Sequence, residues 1–174
     1  MMWWFGKKKS KSIRRGRASI LGNVVFLDVD GVIATPRQIK RVYEFTGMTC
    51  PSGEAQIDPA CVAVLKEIVD RHAASVVITS TWRLHPKDLH DLMWVLAKNV
   101  IPVAGMIPRD GSNRGMAIEE YVQEHHIKRR NVLIIDDSTA DLTHWGDRLL
   151  RTDPHDGLKQ ADIYKSDKIL NFEE

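Results

Sequence analysis

Cysteine is scarce in this chain. Cys50 and Cys61 are the only two among 174 residues. That excludes a disulfide framework, and their separation is no metal-knuckle spacing, so a reducing, cytoplasmic setting is the expectation. Long apolar runs are also missing: none approaches the roughly 20 residues that cross a bilayer. Residues 1–5 are apolar but are followed by charge, the wrong length and order for a secretory leader. The first 19 positions hold no acidic residue, only seven unopposed cations at Lys7, Lys8, Lys9, Lys11, Arg14, Arg15 and Arg17. The remainder carries 18 basic against 23 acidic residues, so the formal charge of +2 divides into a tail of +7 and a body of −5. Internal repeats are absent as well, which excludes a solenoid. What is present is 43% hydrophobic content over a length that supports one core and one domain.

Residues 1–20 show no helical or strand period and are dense in Lys, Arg, Ser and Gly, the composition of a flexible basic arm ahead of a domain at 21–174. Three readings suit such an arm. It is a solvated tail, or it places its cations on nucleic-acid phosphates, or Trp3, Trp4 and Phe5 beside the basic run rest on an anionic membrane surface. The membrane reading ranks last.

The central stretch is Val24-Val25-Phe26-Leu27-Asp28-Val29-Asp30-Gly31-Val32. An apolar run without polar alternation reads as a strand buried on both faces, as in a parallel sheet covered by helices. Asp28 and Asp30 close it two residues apart, a spacing that on extended backbone points both side chains to one side. Like charges so close need a cation, a shared proton or open water, and a hard dication such as Mg2+ suits oxygen ligands of this kind. A solvated pair of turn acids is the plainer alternative.

Residues 32–57 contain Pro36, Gly47, Pro51 and Gly53 around one weakly helical stretch at 37–45, an excursion placed to overhang the acids as a flap. Asp58-Pro59 then opens a helix with Cys61, Leu65, Ile68 and Val69 at helical spacing. A second strand, 75–78, ends in Thr79-Ser80-Thr81-Trp82-Arg83. Hydroxyls followed by a guanidinium can cradle an anion, and hydroxyl residues also form ordinary turns; Trp82 reads as a packing residue. Leu89, Leu92, Met93 and Leu96 form the core stripe of the next helix, a strand at 100–104 carries an edge-type Pro102, and His85 and His90 read as surface histidines. Arg114 falls where a loop meets a helix, a place where a cation is best explained by an anion held between them, with plain solvation as the alternative. A fourth apolar strand, 131–135, again ends in acids, Asp136 and Asp137, with Asp141 close behind. Two buried strands that both end in acid pairs are difficult to explain as packing. A short helix through Leu142 and Trp145, a fifth strand at 149–150, a turn at Gly157-Leu158 and a helix at 163–170 complete the chain.

Alternating strands and helices imply right-handed crossovers and a parallel sheet with ligands at the carboxyl ends of the strands. The ordered set D-V-D-G-V, T-S-T-W-R, N-R-G before a helix and I-I-D-D-S-T-A-D resembles the haloacid dehalogenase (HAD) superfamily of aspartate-nucleophile phosphohydrolases over residues 24–150. T-S-T-W-R, the R-G helix start and T-D-P…G-L near the C-terminus further resemble the HAD domain of Swiss Army Knife RNA repair proteins. The resemblance implies a three-layer Rossmann-like α/β fold with a parallel five-stranded sheet, helices on both faces and no full cap domain. It implies Asp28 as nucleophile and Asp30 as general acid and base. Ser80, or Thr79 in the alternative register, and Arg114 would bind the phosphoryl group, Arg114 in place of the more usual Lys. Mg2+ would sit with Asp28, the Asp30 carbonyl and Asp137, with Asp136 and Asp141 in support. The expected activity is a Mg2+-dependent phosphatase working through an aspartyl-phosphate. An open site and a basic arm favour the terminal phosphates of RNA or DNA. The alternatives are a phosphatase of nucleotides, small molecules or phosphoproteins, and a non-catalytic nucleic-acid-binding module.

Overall fold

Strand β1, Val24–Leu27, lies at the centre of a five-stranded sheet and sends its side chains alternately into two cores. The computed structural model describes residues 22–49, 51–108 and 113–171; the basic arm lies outside them. β1 is flanked by β2 (Ser75–Ile78) and β4 (Val132–Asp136), with β3 (Val103–Met106) and β5 (Leu149–Arg151) at the edges, in the order β3-β2-β1-β4-β5. All four pairings are parallel, and Leu27 stands level with Ile78 on one side and Ile135 on the other. The period-2 pleat divides the apolar strands cleanly. Val25, Leu27, Val76, Ile78, Leu133 and Ile135 face one core, and Val24, Phe26, Val77, Val132 and Ile134 face the second.

Helices cover both faces, as buried parallel strands require. The first core is closed by α2 (Pro59–Arg71), α3 (Pro86–Lys98) and α5 (Ala161–Leu170). The second is closed by α4 (Arg114–Glu124) and the 3-10 turn Thr143–Arg148. Along α3 the buried stripe is Leu92, Val95 and Leu96, while Met93 is exposed. That corrects the expected stripe by one position: Val95, three residues from Leu92 and one from Leu96, shares their face. β3 starts and ends later than the expected 100–104, because Val100 adopts a left-handed φ of 55° and ends the preceding turn instead. The expected helix through Leu142 and Trp145 is a 3-10 turn.

The excursion at 32–57 is small and anchored. Thr35 caps α1 (Pro36–Thr46) by accepting from the Gln38 amide at 3.1 Å, with Pro36 in the first turn. Ala34 and Ile57 form an antiparallel bridge that closes the base of the loop. Asp58, fully buried, caps α2 through Ala60 and is neutralised by Arg37 at 2.9 Å, with Arg41 at 3.7 Å, so α1 is fastened to α2 by charge. The result is a flap rather than a folded cap.

Candidate active site at the carboxyl ends of β1, β2 and β4

β1 and β4 end side by side, which brings their acids together. The Asp28 amide continues the ladder by donating to Ile135 O at 3.0 Å, and its side chain then turns inward, 5% exposed. One carboxylate oxygen accepts from the Val29 amide at 2.8 Å and the other from Arg114 Nη1 at 2.8 Å. Asp136, 0% exposed, accepts from the same Arg114 nitrogen and from the Ser138 amide at 2.9 Å. One guanidinium thus sits between two buried carboxylates contributed by different strands. Burial alone disfavours the Arg114 charge, but Asp28 and Asp136 reverse this and hold its pKa above the usual arginine value. Burial, with the Asp28 charge adding to it, raises the Asp136 carboxyl above the usual range, and Arg114 only partly offsets this.

Arg114 is placed by its helix. Asn113 caps α4, accepting from the Met116 amide at 3.2 Å, so Arg114 is the first helical residue and projects from the helix start toward the sheet. Gly115 is what allows the approach. A Cβ there would meet Asp141 O at 2.1 Å and His144 Cε1 at 2.6 Å. The carboxylate of Asp141 itself, at a left-handed φ of 63°, lies outside the acid cluster. The Asp141 carbonyl faces the start of α4 at Gly115.

Asp28, Asp136 and Asp137 each present an oxygen, and the three oxygens lie within 4.8 Å of one another. Three hard anionic donors at this spacing, two of them buried, fit a small dication, and the raised Asp136 pKa is the mark of charge in need of compensation. Asp137 reaches the cluster across Gly31, where φ is 69° and a Cβ would lie 2.5 Å from its carboxylate. The carboxylate of Asp30 is not in the cluster. The two acids differ in burial: Asp28 is buried and Asp30 exposed. The metal role expected of Asp30 is that of its carbonyl oxygen. Burial raises the Asp30 pKa; a hydrogen bond from Trp82 opposes it, and the neighbouring acids Asp28, Asp137 and Asp88 add to it.

At the end of β2 the two hydroxyls differ. Thr79 donates its amide to Leu27 O at 2.9 Å, beside Asp28, and its buried hydroxyl has no hydrogen-bond partner among the described residues. Ser80 uses its hydroxyl to accept from the Trp82 amide at 3.4 Å, capping the 3-10 turn Thr81–Leu84. Arg83 is held in part by backbone carbonyls. It donates to Thr79 O at 2.7 Å, Ser80 O at 2.8 Å and Pro108 O at 3.2 Å, and so acts as a strut that ties the β2 exit to the β3 exit. Sequence reasoning missed Thr152, whose hydroxyl donates to Gly31 O at 2.8 Å, and Leu158, whose amide donates to Val32 O at 2.9 Å. Both belong to the T-D-P…G-L segment, which braces the turn after Asp30. That segment carried the signal, without a role attached.

The family model for the HAD domain in Swiss Army Knife RNA repair proteins matches residues 24–163, from the first residue of β1 into α5. The chain belongs to that family. The matched HAD domain contains every residue of the cluster described above and classes the chain with the HAD hydrolases. Among solved structures, a haloacid dehalogenase-like family hydrolase from Streptococcus pneumoniae is similar, with 18% identity over 83% of this chain and 90% of that one and a TM-score of 0.46. No curated protein matches the chain. No helix among the described residues is long and apolar enough to cross a membrane.

Proposed function

We propose that this HAD domain is a Mg2+-dependent phosphatase that works through an aspartyl-phosphate and acts on terminal phosphates of RNA or DNA. The observation that carries the reading is the Asp28–Arg114–Asp136 arrangement with Asp137 beside it: one carboxylate at the carboxyl end of the central strand, a guanidinium at 2.8 Å and two further acids on the same spot. In the first step an Asp28 oxygen bonds to phosphorus while the bond to the leaving oxygen breaks, and Asp30 supplies the leaving oxygen's proton. In the second, water bonds to phosphorus, its proton passes to Asp30, and the bond to Asp28 breaks. Arg114 offsets the negative charge gathered around the transferring group. Thr79 is the better placed of the two hydroxyls to donate to a phosphoryl oxygen, because it stands level with Asp28 and its hydroxyl is unpartnered among the described residues, whereas Ser80 caps a turn. A hard dication held by Asp28, Asp136 and Asp137 would supply charge neutralisation at the same oxygens.

The open site supports a large substrate, since the flap at 32–57 is too small to enclose it. A second reading, a phosphatase of nucleotides or other small phosphate esters with the arm incidental, is favoured by one observation. Gly22 lies at the amino ends of the strands, near Ala73 O and accepting from Asn131 Nδ2 at 3.4 Å, at the pole opposite the acids. The central strands β1, β2 and β4 are four or five residues long, about 15 Å at 3.3 Å per residue, and that distance separates Gly22 from the acids. Phosphate release from 3'- and 5'-phosphorylated oligonucleotides, mononucleotides and phosphopeptides, with Mg2+ and with chelator, tests the activity. Deleting residues 1–19 divides the readings. Loss of oligonucleotide turnover with small-ester turnover intact supports the first, and equal turnover of both supports the second.

A further inference from the structure

Trp82 is 6% exposed, packed in the first core, yet its indole edge emerges at the site. Its Nε1–H points between the two oxygens of Asp30, at 3.1 and 3.2 Å. A buried indole N–H needs an acceptor of some kind. Here the acceptor is the carboxylate that is otherwise most free to rotate: Asp30 is exposed, and no other side-chain hydrogen bond to it occurs among the described residues. The indole is itself immobilised. The Trp82 amide donates to Ser80 Oγ, its carbonyl accepts from the His85 amide at 3.1 Å, and the adjacent Arg83 locks the turn to three carbonyls.

Resting on the phosphatase reading above, we propose that Trp82 is a positioning residue for the reaction. Its rigid N–H fixes the plane of the Asp30 carboxyl beside Asp28, so that one group can deliver a proton to the leaving oxygen and later take one from water. The two-oxygen contact suits that double duty. With a proton on either oxygen, the other still accepts the indole N–H, and the orientation persists through both steps. In a domain whose flap is too small to press on Asp30 from above, the support comes from below, out of the core.

The test separates orientation from bulk packing. For p-nitrophenyl phosphate the leaving oxygen needs no proton, whereas the sugar oxygen of a 3'-phosphorylated oligonucleotide does. In W82F, kcat/KM for the oligonucleotide is expected to fall by about 10- to 100-fold, the scale of a misplaced acid–base group. The aryl ester should stay within about 3-fold of wild type, and W82F added to D30N should cost nothing further on the oligonucleotide. An equal loss on both substrates, or no loss on either, overturns the proposal. A second measurement does not need turnover. In 15N-labelled protein, with the Trp82 indole resonance assigned by through-bond and NOE connectivity, D30N is expected to move that resonance and leave the other four tryptophans in place. An unmoved resonance overturns the proposal even if W82F fails to fold. Wild-type protein that hydrolyses neither ester while the resonance does move refutes the phosphatase reading and leaves the contact standing.

Discussion

The acid pairs at the ends of β1 and β4 look alike in sequence and differ in what holds them. Each has an inner member, Asp28 or Asp136, that is buried and paired with Arg114, and an outer member that is not. The outer members part company: Asp30 is gripped by an indole from the first core, whereas Asp137 rests against the glycine backbone of Gly31 and joins the metal-ready cluster. The inner acids each accept from Arg114 and from one backbone amide, Val29 for Asp28 and Ser138 for Asp136, and differ in that Asp28 lies level with Thr79, whose hydroxyl has no hydrogen-bond partner among the described residues. Two acid pairs thus yield three kinds of carboxylate, sorted by what their neighbours leave free.

Substitutions can break this sorting, beginning with the largest effect. D28N is expected to lower phosphate release by about 10⁴-fold or more, the scale of removing a nucleophile. D137N, which keeps Arg114 paired, should instead show a rate that recovers in part at high Mg2+. Equal and Mg2+-independent losses in the two would erase the distinction. R114A leaves Asp28 and Asp136 facing each other without a cation, so kcat should fall by about 10²- to 10³-fold. Thermal unfolding should show a larger stabilisation by Mg2+ than in wild type, because the ion then relieves an uncompensated pair. G31A forces a side chain into a left-handed backbone and against Asp137, with an expected cost of about 1–3 kcal/mol in urea unfolding and a weaker Mg2+-induced shift in Tm.

The smallest effect belongs to the far end of α2. His72 Nε2 lies 3.2 Å from Ser166 Oγ and 3.2 Å from Asp167, joining α2 to α5. Burial lowers its pKa below the usual 6.5, against the pull of Asp167. A lowered folded-state value means the stability this neutral histidine contributes is present above pH 6.5 and is lost as pH falls through the folded-state value. H72Q should therefore flatten the decline of the urea midpoint on acidification below pH 6.5 and leave kcat unchanged. A parallel decline in both proteins would remove His72 from the account.

Much of the site was legible in sequence because its parts are local. An unbroken apolar run followed by an acid marks a buried strand opening onto a pole, and Asn113 before Arg114 marks a helix start. Arg83 reads in sequence as part of an anion cradle, and only the course of the β3 exit shows that it also donates to the carbonyls of Thr79, Ser80 and Pro108. The difference in burial between Asp28 and Asp30 was hidden because it depends on what packs around the end of β1, which propensity does not fix.

By itself the sequence determined that apolar strands would be sandwiched between helices, that their carboxyl ends would carry acids, and that helices would begin at Asp58-Pro59 and near Arg114. Period-2 burial, like-charge spacing and side-chain capping act within a few residues of one another. Only the tertiary structure decided which acid of each pair is buried, that Arg114 bridges two of them, and that Trp82 holds Asp30. Those contacts join residues 86, 22 and 52 positions apart. At such separations the geometry is set by sheet order and helix packing, which no local pattern encodes.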